Sequence, residues 1–155
     1  MSWTRQDCDD LVDAIASHVL SLGVCDRVNK HEPKSAPGTG VSAGIWLQGI
    51  RPLPEASSLI ATSGLVTVWC QLYGGMLKSP MDQIDPELAG AASLVVASIS
   101  SDFSLDGMIR DVDLLGEFSD GLKADGGYLT IDNTMFRIFT ITIPCVVNDM
   151  WEQAP

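Results

Sequence analysis

Hydrophobic and polar residues alternate with a period of two over residues 135–147, MFRIFTITIPCVV. Arg137, Phe139, Ile141, Ile143 and Cys145 share one face, and Phe136, Ile138, Thr140 and Thr142 share the other. β-Branched and aromatic residues at that spacing suit a pleated, half-buried surface and predict a strand. Pro144 brings no ladder donor, which predicts that this strand lies at a sheet edge or ends there. Residues 65–73, LVTVWCQLY, alternate in the same way. Val66, Val68, Cys70 and Leu72 make an apolar face opposite Leu65, Thr67, Trp69, Gln71 and Tyr73. A strand over 42–53, with Ile45, Leu47 and Gly49 facing one way and Pro52 and Pro54 ending it, is expected to pair antiparallel with 65–73. Weaker strand patterns cover 24–30, 108–118 and 127–131. Asp132-Asn133, just ahead of 135–147, is a tight hairpin signal.

A period near 3.6 occurs twice. Over 4–22, Leu11, Val12, Ile15, Val19, Leu20 and Leu22 fall on one broad helical face. Thr4 reads as the N-cap, with Asp7 at the third position as a variant capping box. Asp7, Asp9, Asp10 and Asp13 crowd the positive end of the helix dipole, and Gly23 marks the stop. The second helix is predicted over 85–100, with Asp85 as cap, Pro86 in the first position and Leu88, Ala92, Val95, Val96 and Ile99 on one face. Prolines and glycines predict a loop over 31–44, and Gly74-Gly75 opens another over 76–84. Turns are expected at 102–106 and 119–121. Residues 148–155 read as a polar tail with one anchor, Trp151. The expected fold is α+β: a single domain, 1–155, with a mostly antiparallel sheet and two main helices packed on one face.

Composition narrows the functional classes. The 155 residues are 46% hydrophobic, enough for one domain with a sizeable core. A net charge of −11 repels phosphate and anionic lipid, which speaks against nucleic-acid binding and against a membrane partner. No basic, then apolar, leader pattern opens the sequence, and no apolar run suits a spanning helix. Cys8, Cys25, Cys70 and Cys145 are too scattered for a disulfide framework; they read as reduced, mostly buried thiols of a cytosolic product.

No pattern carries chemistry. Gly38-Thr39-Gly40 with Gly44 lacks the strand–turn–helix order and the spacing of a phosphate loop. His18 and His31, without short-spaced cysteine or histidine partners, make no zinc set. Asp111 and Asp113 alternate along a predicted strand and project to one side, either as an acid–base pair or as part of a solvated acidic face. No serine or cysteine stands in a nucleophile elbow. Catalytic, cofactor and metal residues are therefore expected to be absent, and the chain is not read as an enzyme. Features suited to assembly remain. Lys30, His31 and Lys34 form a basic patch in an acidic chain, and Trp3 and Trp151 near the ends are either interface anchors or packing onto the body.

Residues 140–155, TITIPCVVNDMWEQAP, resemble the C-terminal end of tail terminator proteins of long-tailed (siphovirus-type) bacteriophages infecting actinobacteria. The opening helix followed by 23–34, GVCDRVNKHEPK, is similar to the same family, and the likeness covers nearly the whole chain. The resemblance implies a structural virion protein assembled in the host cytoplasm. Its copies form a hexameric ring that caps the tail tube, ends polymerisation and offers a surface to the head–tail connector. Partners are then its own copies, the tail tube protein and the connector, with DNA passing through the lumen without specific binding. On that basis Lys30–Gly44 and Gly74–Gln83, including Met76 and Lys78, are expected to touch the tube or adjacent subunits, and Asp111 and Asp113 to face the lumen. The alternatives are another neck or tail-tube component, such as a head–tail connector subunit, and a small host enzyme built on Asp111 and Asp113.

Overall fold

Thr4 starts the first helix as its pattern requires. The computed structural model describes residues 3–33, 40–54, 57, 61–74 and 81–153, with side chains from 86 onward in the last stretch. Helix α1 spans Arg5–Leu22, and Thr4 and Asp7 close a full capping box. The Asp7 N–H donates to Thr4 Oγ1 at 3.2 Å, and the Thr4 N–H donates to Asp7 Oδ2 at 2.7 Å. Gly23, at φ 68°, ends the helix. That left-handed conformation is the one glycine adopts without steric cost. Thr4→Ala removes the acceptor for one orphan amide and is expected to cost about 1 kcal/mol, read as a lower denaturant midpoint at unchanged slope.

The remaining elements are β1 (Arg27–Asn29), β2 (Val41–Pro52), β3 (Ala61–Gly74), α2 (Met81–Ser101), β4 (Asp111–Val112), β5 (Lys123–Ile131) and β6 (Thr134–Glu152). The sheet runs β1-β2-β3-β6, with β4 and β5 both alongside the far edge of β6. Every pairing is antiparallel except β1 with β2. The fold is α+β, as expected.

Register aligns one apolar face across the sheet. Ile45 pairs with Cys70 and Cys70 with Ile141; Val68 pairs with Ile143 and Val66 with Cys145. Leu11, Ile15 and Val19 of α1 and Leu88, Val95 and Ile99 of α2 pack on this face in one continuous core. Each fully buried side chain of this size contributes about 1.5–3 kcal/mol relative to exposure. Asp132 and Asn133, at φ 51° and 64°, make the predicted two-residue turn between β5 and β6. Positive φ at both central residues is what such a hairpin turn demands.

Several expectations are corrected. Leu20 is 60% exposed, so the buried stripe of α1 is narrower than its sequence pattern. Helix α2 begins at Met81, which leaves Asp85 and Pro86 inside it rather than at its cap. Pro86 lies in an early turn, where its missing N–H forfeits a single ladder bond. The strand expected over 24–30 shrinks to three residues. The loop expected over 31–44 gives way to β2 from Val41, so Gly44 is a strand residue. A side chain at position 44 would meet the His31 carbonyl at 2.7 Å. Close approach of backbone, rather than a loop, therefore explains this glycine. Residues 34–39 and 75–80 lie outside the described residues.

The largest correction concerns β6. It is no edge strand and does not stop at Pro144: β3 pairs with it from Gly74↔Arg137 to Ala61↔Glu152. Pro144 falls where the partner on the other side changes from β5 to β4. The Asp113 N–H still donates to the Pro144 carbonyl at 2.8 Å. The reciprocal bond, which proline cannot make, is replaced by Leu122 N–H donating to the Asp113 carbonyl at 3.1 Å. The buried carbonyl is thereby satisfied without a proline donor. The residues read as a polar tail, 148–152, continue the strand after an irregularity at Asp149 (φ 53°), with Met150 buried.

Candidate functional site

Among the described residues, the helices cover one face of the sheet and leave the other without a helix layer. The uncovered face carries Trp46, Thr67, Trp69, Gln71, Thr140 and Thr142, all half-buried. Gln71 Nε2 donates to Thr140 Oγ1 at 3.1 Å, and Trp46 and Trp69 meet edge to face with centroids 6.0 Å apart. These are the residues that alternation puts opposite the core face, so the composition of this surface is read directly from period two.

One end of this face is roofed by the segment after β4. Asp113, 5% exposed, accepts from the Glu117 N–H at 2.7 Å, the Phe118 N–H at 2.9 Å and Ser119 Oγ at 2.7 Å. Burial pushes its carboxyl up, but the bonds from Ser119 and from the Phe118, Glu117 and Ser119 amides outweigh it and hold the pKa below the usual carboxylate value. Gly116 and Gly121, at φ 88° and 84°, complete the tight path. Phe118 is thereby packed against Leu53, Leu65 and Val146, and Arg51 Nη2 donates to its carbonyl at 2.7 Å. The predicted strand 108–118 is thus two residues of strand followed by a carboxylate-anchored loop. Asp111 and Asp113 do not alternate along one strand: Asp111 stays partly exposed beside Arg110 Nε at 3.8 Å, and Asp113 is spent inside the loop.

Lys30 and His31 follow the outermost strand, β1. Lys30 Nζ donates to Asp13 Oδ1 at 2.7 Å and so ties the edge of the sheet to α1; this bond, first of all, raises the lysine's pKa. Two shallow grooves flank Lys30, of about 430 and 520 Å³, and both are lined by Trp46 and Leu47. Lys34, Met76 and Lys78 lie outside the described residues. Trp3 and Trp151 sit near one another rather than at loose ends. The Trp3 N–H donates to the Met150 carbonyl at 3.0 Å, its indole Nε1–H points to Cys8 Sγ at 3.0 Å, and both tryptophans pack against the core while remaining half-exposed.

The sequence pattern did not reveal two features. In one, His18 bridges the helices, with Nδ1 2.8 Å from Ser98 Oγ and Nε2 3.0 Å from Asp102 Oδ2, above a groove of about 390 Å³. In its Nε2–H tautomer the ring donates to Asp102 and accepts from Ser98 Oγ at Nδ1. The Asp106 N–H on Asp102, followed by the His18 contact, lowers the Asp102 pKa against the effect of burial. The order serine–histidine–aspartate has the members of a hydrolase triad, but Ser98 lies within a helix whose amides are committed to the ladder, so no oxyanion donors face it. The arrangement is a bond between helices. The spacing of Ser98 and Asp102, one helical turn apart, was the signal available in the sequence. The other feature is the outer edge of β5, which among the described residues pairs with β6 alone and needed the strand order to appear.

The thiols follow burial. Cys70 and Cys145 are buried and Cys8 and Cys25 half-buried, all four free. Burial raises the Cys145 thiol to about 12 and, with a contribution from Asp26, the Cys25 thiol to about 11. Neither is an activated nucleophile. Among the described residues, no group of three His, Cys, Asp or Glu is arranged to hold a metal ion, and no helix is long and apolar enough to cross a membrane.

No family model and no curated protein matches the chain. Among solved structures it is similar to the sheath/tube terminator of an extracellular contractile injection system, PVC, determined by cryo-electron microscopy in the extended state. The identity is 13% and the TM-score 0.39, over 99% of this chain and 59% of that chain. The present chain therefore spans less than two thirds of that neighbour's length.

Proposed function

We propose that this chain is a structural subunit of a phage tail, one copy of a hexameric ring that caps the tail tube, ends its polymerisation and presents a surface to the head–tail connector. The sequence resemblance of 4–34 and 140–155 to tail terminators supports the reading. The observation that carries it is the one-sided layering, with two helices over one sheet face and a broad threonine, glutamine and tryptophan face left for assembly. In the ring that face lines the channel, where hydroxyl and amide groups stand beside the partly exposed Asp111, and the two cations bordering it are held by neighbours, Lys123 by Asp120 and Asp125 and Arg51 by the Phe118 carbonyl. Asp113 serves instead to shape the loop at the end of that face. Lys30 and His31, together with Lys34, Met76 and Lys78, meet the tube or the next subunit, and Trp3 and Trp151 form a second, aromatic contact where the start of α1 meets the end of β6.

Light scattering of the purified protein over a range of concentrations, followed by addition of tail tubes, tests this. A discrete species near six subunits that blocks further tube growth is the expected result. Open-ended polymers would make the chain a tube subunit. A species that binds connectors and leaves tube ends growing would make it a neck component. A monomer that leaves tube ends uncapped overturns the proposal.

A further inference from the structure

Strand β5 forms an outer edge of the sheet, and among the described residues it pairs with β6 alone. The pairing runs over nine residues without proline or register shift. The two-residue turn makes Ile131↔Thr134 the hydrogen-bonded pair next to it. Alternation then directs the N–H and C=O groups of Ala124, Gly126, Tyr128 and Thr130 away from β6. Such an edge accepts another strand unless a proline, a bulge or a free lysine blunts it. Strand β5 has neither proline nor bulge, and its lysine, Lys123, is drawn to Asp120 and Asp125 at 3.9 and 3.5 Å.

Gly127, in the middle of this strand, has no reason among the described residues to be glycine. Its φ is not positive, and a Cβ there would meet Ile138 at 3.6 Å, an ordinary contact. Gly126 differs, because a Cβ there would run into the Arg137 guanidinium at 2.7 Å. Glycine inside a strand costs stability and marks close approach by another backbone or a ligand. Gly127 bonds to β6, so an incoming antiparallel strand meets it at a non-hydrogen-bonded position, where Cα atoms come to about 4.5 Å and side chains are closest. A bulky side chain on that strand fits opposite the bare Cα. The edge is also acidic. Residues 117–132 carry Glu117, Asp120, Asp125 and Asp132 against Lys123, a formal charge of −3. Lys123 serves two carboxylates at once, and no ion pair reaches Glu117 or Asp132 among the described residues.

We propose that the β5 edge binds an extended, basic segment of another protein, which joins the sheet as a strand beyond β5 with a bulky side chain opposite Gly127 and a cationic one opposite Asp125. Gly127 and Asp125 share one face of the sheet, so these two side chains stand two residues apart on the incoming segment. Main-chain bonds supply the affinity in this mode of recognition, and alternate side chains the specificity. A second copy is not the occupant. No strand of this chain carries more than one cation, and pairing β5 with β5 would bring two −3 segments together. Like charges facing each other across an interface disfavour that contact. The edge takes such a segment whether or not the copies close into a ring.

The test is amide hydrogen exchange of the full-length protein with two synthetic peptides that match β5 in length. In one, lysine and isoleucine alternate at every second position with threonine between them; in the other, glutamate replaces lysine. At saturation the lysine peptide should slow exchange at Ala124, Gly126, Tyr128 and Thr130 about tenfold or more, and the glutamate peptide should not. Tyr128→Pro removes one outward donor and leaves the ladder to β6 intact, so it should abolish the protection of the other three amides. Tyr128→Val keeps the amide and should keep the protection; unchanged circular dichroism verifies folding of both. Gly127→Val should leave the free protein folded and weaken the lysine peptide about tenfold, because the added side chain occupies the space opposite the incoming one. A lysine peptide that leaves these four amides exchanging as before overturns the proposal, and so does a glutamate peptide that protects them equally. A folded Tyr128→Pro or Gly127→Val variant that binds as the natural protein does overturns it as well. Slow exchange at all four amides in the protein alone, with a dimer mass in sedimentation, would overturn it by giving the edge to a second copy.

Discussion

Alanine in place of Asp113 is expected to lower stability by about 3 kcal/mol and the melting temperature by about 6–12 °C, a large effect for a loop residue. Its carboxylate accepts from two backbone amides and the Ser119 hydroxyl, and alanine strands all three donors at once. Asp113→Asn should lose less, since its carbonyl can still accept from the Phe118 N–H and Ser119 Oγ while its amide faces the Glu117 N–H, a donor against a donor. The same network sets a pH dependence. The folded-state pKa is held below the unfolded value, which is about 3.9. The stabilisation is therefore complete above that unfolded value and is lost as pH falls through the folded pKa. Thermal melts from about pH 6 to about pH 2 should show a steeper acid loss for the natural protein than for Asp113→Asn. Parallel profiles would remove Asp113 from the acid response. The loop positions Phe118 over Leu65 and Val146, so its loss also uncovers one end of the sheet face opposite the helices.

Ile141→Ala is expected to cost about 3–4 kcal/mol. Ile141 is fully buried in the middle strand of the core, between Cys70 on β3 and Ala124 on β5, and it faces the helices. A truncation there leaves a cavity beside a strand that is paired on both sides and packed under the helices, and so collapses little. Urea unfolding should show the midpoint falling at nearly constant slope. Leu115→Ala is the control, because Leu115 is 99% exposed. Its truncation should change stability by less than about 0.5 kcal/mol. A comparable loss at both positions would mean that the assigned core face is wrong. A loss of ring formation by Leu115→Ala at unchanged stability would instead identify that side chain as a contact.

Period and capping were sufficient for much of this architecture. Thr4, Asp7 and Gly23 define α1 within a few residues of chain, because each acts on backbone groups of its own helix. Val66, Val68, Cys70 and Leu72 announce a core face because strand side chains alternate whatever lies next to them. Asp132-Asn133 closes its hairpin for the same local reason: both residues tolerate positive φ.

What tertiary structure decided is where each strand finds its partners. Pro144 argued locally for an edge, yet β6 is central, because the missing donor falls at the change from β5 to β4 and Leu122 supplies a substitute. Residues 148–152 look like a tail by polarity, yet β3 and Ser63 lie alongside and take their backbone into the sheet. Residues 108–118 have strand-like composition, but a buried carboxylate at Asp113 binds the following amides and turns the chain instead. His18 acquires a role only when α2 brings Ser98 and Asp102 to it from 80 and 84 residues away. Helix caps, turns and alternation are interactions within a few residues and are written in the sequence. Strand order and the satisfaction of a proline's neighbours depend on residues far apart in the chain, and only the folded sheet brings them together.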